Sequence, residues 1–102
     1  MTEICNNNNQ GAYANLKIIT LNVRGLRNKR KRRALFYAFK KYKFDIICLQ
    51  ETYLMKEDYN IIDREWDGEF HLVEGTNRCK GLLTLFSKQL QNTRNHGNLK
   101  GC

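Results

Sequence analysis

The sequence predicts an α/β domain, and three observations carry that expectation. Two short, largely β-branched apolar runs each close on a polar residue, an amphipathic helical pattern lies between them, and two further apolar runs flank a glycine-containing turn. A chain of 102 residues with 41% hydrophobic content suits one small domain and leaves no room for a second.

Residues 1–15 are polar and asparagine-rich, with nothing to bury, and are expected to form a disordered or loosely attached leader. Leu16 to Val23 is β-branched and mostly apolar, and Gly25 punctuates it, so it reads as a strand with Asn22 at its C-terminal end. Asn28 is a plausible N-cap for a helix over Lys29 to Lys43, whose stripe at Leu35, Ala38, Phe39 and Tyr42 faces the core. The run Ile46-Ile47-Cys48-Leu49, ending in Gln50-Glu51, fits a strand covered on both faces. Strand, helix and strand in this order imply a right-handed crossover between neighbouring strands, which a helical connection of this length allows to be parallel. Asn22 and Glu51 then share a rim at the carboxyl ends, where ligands of open α/β sheets collect. Thr52 to Asp67 reads as loop and a short helix. Phe70–Glu74 and Gly81–Ser87 read as a hairpin, with Trp66 and Phe70 in the core rather than stacked on a base. The polar tail from Gln89 has no period.

Charge is segregated along the chain. Net charge is +8, with eleven basic and no acidic residues from Lys17 to Phe44, then nine acidic residues from Asp45 to Glu74. A basic face suits phosphate, and an acidic patch beside it suits a divalent cation. Five cations at the start of the helix oppose its macrodipole by about 0.3 to 1 kcal/mol each, so helix stability does not account for them. Arg24, Arg27, Lys29, Arg30, Lys31, Arg32 and Arg33 are candidate phosphate-backbone contacts, and equally a localisation signal or a solvated face. Cysteines 5, 48, 79 and 102 form no C-x-x-C pair or metal-like spacing. They fit a reduced, intracellular chain, nuclear in a eukaryote. No run approaches the ~18 apolar residues of a membrane span, so no membrane partner is expected.

The segments Leu16-Lys17-Ile18-Ile19-Thr20-Leu21-Asn22-Val23-Arg24-Gly25-Leu26 and Phe44-Asp45-Ile46-Ile47-Cys48-Leu49-Gln50-Glu51-Thr52, with the basic helix between them, resemble the start of the endonuclease/exonuclease/phosphatase family. The nearest form is the apurinic-endonuclease-like domain of non-LTR retrotransposons. Trp66-Asp67-Gly68 and the strand from Lys80 to Ser87 also fall where that family has a tryptophan-containing segment and a glycine-led strand, so the resemblance spans about Leu16 to Lys88. It implies an N-terminal fragment of a four-layered α/β sandwich, a partial domain over 16–88 between the leader and a tail over 89–102.

The resemblance also implies metal-dependent phosphodiester hydrolysis of nucleic acid, DNA ahead of RNA. Glu51 would be the carboxylate that holds Mg²⁺, and Asn22 would help arrange metal and scissile phosphate. The family's general base, a histidine late in the domain after a serine-aspartate pair, has no counterpart, since His71 and His96 lack that context. Arg24 stands where many members carry Asp or Asn, and Tyr53 where relatives often have Lys or His. Weak or absent Mg²⁺ binding and no hydrolysis by the fragment alone are the expectation. The competing expectations are a small basic nucleic-acid-binding or nuclear-targeted module, and a non-functional retroelement remnant.

Overall fold

The computed structural model describes residues 2–7 and 15–90. Its elements are β1 (Thr2–Asn7), β2 (Leu16–Asn22), α1 (Lys29–Lys41), β3 (Ile46–Gln50), a 3₁₀ turn (Lys56–Asp58), α2 (Tyr59–Glu65), β4 (Phe70–Val73) and β5 (Leu82–Phe86). They build a mixed α/β domain on one sheet of order β1-β2-β3-β5-β4. β2 and β3 are parallel, as a helical crossover requires, while the other three pairings are antiparallel. Among the described residues no helix is long and apolar enough to cross a membrane.

Alternation along the strands separates two faces. One carries the rows Ile19, Ile47, Leu85, Phe70 and Leu21, Leu49, Leu83, Leu72. These join Phe36 and Phe39 of α1, Ile62 of α2 and Trp66 in a single core. Trp66 meets Phe36 edge-on at 5.4 Å between centroids, and its indole N–H donates to the Phe86 carbonyl at 3.0 Å. The opposite face carries Ile18, Ile46, Phe86, then Thr20, Cys48, Thr84, His71, then Asn22, Gln50, Leu82, Val73. Its members are half-buried or exposed, so β3 is covered on one face and not on both as its apolar run suggests.

Two further expectations are corrected. The leader expected over residues 1–15 is a strand over Thr2–Asn7, paired antiparallel with β2 from Thr2↔Leu21 to Asn7↔Leu16. An edge strand needs only backbone N–H and C=O groups to complete the ladder, so a polar sequence does not prevent it. The helix stripe is Arg32, Leu35, Phe36 and Phe39, shifted from the expected one, and Tyr42 is the C-cap and 55% exposed. The turn after it is a Schellman motif. Phe44 N–H donates to the Phe39 carbonyl and Lys43 N–H to Lys40, both at 3.1 Å, with Lys43 at φ 57° and Phe44 packed on Phe39. That geometry ends α1 without the usual glycine.

At the other end, Asn28 has extended backbone and its side chain accepts from Lys31 N–H at 2.9 Å, as an N-cap does. Asn28→Ala is expected to cost about 1 kcal/mol, lowering the thermal midpoint by roughly 4 to 8 °C. A midpoint unchanged in circular dichroism would show that the cap contributes nothing.

Candidate functional site

Parallel pairing of β2 with β3 ends at Asn22↔Gln50, and the two chains stay joined beyond the sheet. Val23, Gly25 and Leu26 donate their N–H groups to the carbonyls of Gln50, Glu51 and Thr52 at 3.0, 2.7 and 2.9 Å. On the other side, Thr52 and Tyr53 donate to Gly81 and Lys80 at 3.3 and 2.9 Å. Segment 51–53 is therefore held from both flanks.

Within this frame the backbone turns left-handed at Arg24 (φ 50°), Gly25 (φ 104°), Glu51 (φ 56°), Tyr53 (φ 57°) and Gly81 (φ 92°). Each non-glycine residue there costs on the order of 1 to 3 kcal/mol and persists because its surroundings enforce it. Regular alternation would aim Glu51 at the helix-covered face, opposite to Gln50. The left-handed turn takes it out of strand geometry, and its carboxylate meets Asn22, whose Nδ2 donates to Oε2 at 2.9 Å. Both side chains are half-buried. The expected rim pair is thus brought together across 29 residues of sequence.

Asn22 is held at both ends of its amide. Its Oδ1 accepts from Arg24 N–H at 3.2 Å, which fixes the amide orientation and leaves Nδ2 for the carboxylate. The side chain orients Glu51 and is a turn former at once. Its Oδ1 keeps a second lone pair, so both residues of the expected pair carry a carbonyl or carboxylate oxygen at the rim. Among the described residues no three His, Cys, Asp or Glu side chains gather as a metal site. A single carboxylate fits a hydrated Mg²⁺, which keeps most of its waters, and does not fit an all-protein cage.

The basic cluster divides. Arg24, Lys29, Arg30 and Arg33 are exposed and make no ion pair among the described residues. Arg27 lies 3.7 Å from Asp58, and Lys31 Nζ reaches back to the Val23 carbonyl at 2.5 Å. Arg32 is no nucleic-acid contact, because it is 5% exposed and spends its donors internally. Its Nε and Nη2 grip Glu65 at 2.5 and 3.1 Å, and Nη1 donates to the carbonyls of Leu26 and Arg27. The hydrogen bond and charge of Arg32 hold the Glu65 carboxyl below its ordinary pKa despite burial.

His71 is exposed on β4, three strands from Asn22, which at about 4.8 Å per strand is roughly 14 Å. It does not reach the rim as a base. His96 lies outside the described residues. Sequence reasoning missed Thr52 and Gly81, which brace the rim from beneath. Gly81 before a strand and Gly25 after one were the available signals. No protein-family model matches the chain.

Proposed function

We propose that this chain carries the metal-facing half of a Mg²⁺-dependent phosphodiesterase site of the endonuclease/exonuclease/phosphatase type, similar to the apurinic-endonuclease-like domains of retroelements. The observation that carries the reading is the Asn22–Glu51 pair at the carboxyl rim of two parallel strands, with Glu51 turned to it by a left-handed backbone. Glu51 would hold the cation, whose chemistry is to neutralise charge developing on a phosphate. Asn22 orients the carboxylate, and the neighbouring exposed Arg24 adds positive charge where a phosphate would approach. With His71 remote from the rim, no described histidine is placed to activate water, so the chain alone is proposed to bind without hydrolysing. Its working compartment is proposed to be intracellular, with nucleic acid as the substrate class.

Two measurements test this reading. Titration with Mn²⁺, followed by loss of the free-ion electron paramagnetic resonance signal, is expected to show weak binding that Glu51→Ala removes and Asn22→Ala weakens. Incubation of the chain with supercoiled or abasic plasmid and Mg²⁺ is expected to leave the DNA intact. Mn²⁺ binding indifferent to Glu51 would overturn the metal assignment, and nicking abolished by Glu51→Ala would overturn the claim of inactivity.

A further inference from the structure

On the helical side of the sheet, α1 and α2 do not close against each other along their length. Between them runs an open groove of about 770 Å³. Its floor is Phe36, half-buried Ile61 and the Arg32–Glu65 pair. Above the floor, Lys29, Arg33 and Lys40 stand on α1 and Arg64 on α2. At 100° per residue the three α1 cations lie within about 40° of one line, and at 1.5 Å per residue that line is about 16 Å long. Tyr37 flanks it and is 67% exposed.

The electrostatics of the groove are one-sided. Five cations and a single carboxylate line it, and that carboxylate is already committed to Arg32. Lys29, Arg33 and Arg64 make no ion pair among the described residues, and Lys40 has an exposed contact with Asp67 at 3.8 Å, of a kind worth little, and lies 5.6 Å from the Trp66 ring centroid. The first turn of α1 holds no acidic residue, so its cations work against the helix macrodipole and the groove carries that cost.

We propose that this groove binds the phosphate backbone of single-stranded nucleic acid, with Tyr37 as a platform for one base. A line of cations tracks a polyanion, and about 16 Å spans four to five phosphates at the 3.4 Å rise of a stacked strand. An exposed aromatic ring between cations is the arrangement by which sequence-tolerant single-strand sites gain stacking. The ring favours a single strand over a duplex, whose bases are already stacked on one another. The site is distinct from the Asn22–Glu51 rim and needs neither a divalent cation nor Glu51.

Fluorescence anisotropy of a labelled oligothymidylate with the whole chain in EDTA, over a series of salt concentrations, tests it. Four contacts predict a log–log salt slope near −3, at about −0.7 per phosphate neutralised. Replacing Lys29, Arg33, Lys40 and Arg64 by Gln is expected to bring that slope near zero. Tyr37→Ala should weaken binding roughly 5- to 150-fold at unchanged slope, and Tyr37→Phe should restore it. All five side chains are on the surface, so circular dichroism of the variants should match the parent, and Glu51→Ala should bind the oligonucleotide normally. An unchanged slope in the quadruple variant, an indifferent Tyr37→Ala, or tighter binding of duplex, polyglutamate or anionic phospholipid vesicles would each overturn the proposal.

Discussion

Arg32→Ala is expected to destabilise the domain by about 3 to 5 kcal/mol, the cost of removing one partner from a buried pair. The side chains of Arg32 and Glu65 are 6% and 19% exposed, so solvent does little to screen what is left behind. Two losses combine. Glu65 loses its bidentate partner and keeps only the longer-range charge of Lys29 and Arg33, and the Leu26 and Arg27 carbonyls lose the guanidinium that donates to them. At about 0.05 to 0.15 kcal/mol per residue, the whole domain holds on the order of 5 to 15 kcal/mol, so the variant keeps a small margin or none. Arg32→Lys should recover only part of the loss, because an ammonium cannot span two carboxylate oxygens and two carbonyls. Arg32→Met/Glu65→Met should be more stable than Arg32→Ala, since no charge remains buried. Urea unfolding of the four proteins measures this series, and a double variant no better than Arg32→Ala would show that packing, not the stranded charge, sets the cost.

The same pair sets a pH dependence. Arg32 holds Glu65 below the ordinary carboxylate pKa of 4.5. A group whose pKa is depressed on folding adds stability above its unfolded value and loses it as pH falls through the folded one. Stability from this pair is therefore constant near neutrality and declines below about pH 4.5. In Arg32→Ala the largest cause of the depression is gone and burial opposes ionisation, so this acid-side decline should flatten.

The β2–α1–β3 unit and the β4–β5 hairpin were legible because periodicity and glycine punctuation act locally, and the Asn22–Glu51 rim followed from their order. What escaped depends on side-chain partners and backbone turns that residue type does not reveal. Arg32 sits in a run of basic residues and looks solvated. Glu65, 33 residues on, and the Leu26 and Arg27 carbonyls turn it inward, and the helix stripe shifts from the Tyr42 side to Arg32 and Phe36. The end of α1 was hidden because Lys43, not glycine, takes the left-handed position. Asparagine at the end of a strand says that an amide is available. Which end of it faces the site is decided by Arg24 N–H.

Gly81→Ala is expected to cost about 2 to 5 kcal/mol and to dismantle the candidate site as it does so. At φ 92° an L side chain is strained, and the added Cβ would stand 2.7 Å from Thr52 Oγ1 and 3.1 Å from Tyr53 N. Neither neighbour can yield cheaply. Thr52 is fully buried and its hydroxyl accepts from Leu54 N–H, while Tyr53 N–H is bonded to the Lys80 carbonyl. The strain therefore passes into segment 51–53, whose left-handed turns at Glu51 and Tyr53 persist only while both flanks hold them. Once the Gly81 flank moves away, Glu51 relaxes toward ordinary strand geometry and leaves Asn22. Mn²⁺ binding should then fall in Gly81→Ala even at temperatures where circular dichroism shows it folded. Gly81→Ala/Thr52→Ser should regain little, because the hydroxyl and the backbone amide remain in the way. Thr52→Ala added to Gly81→Ala should regain more by removing the closest clash. A Gly81→Ala protein with the parent's unfolding midpoint and full Mn²⁺ binding would mean that the rim is not braced through Gly81.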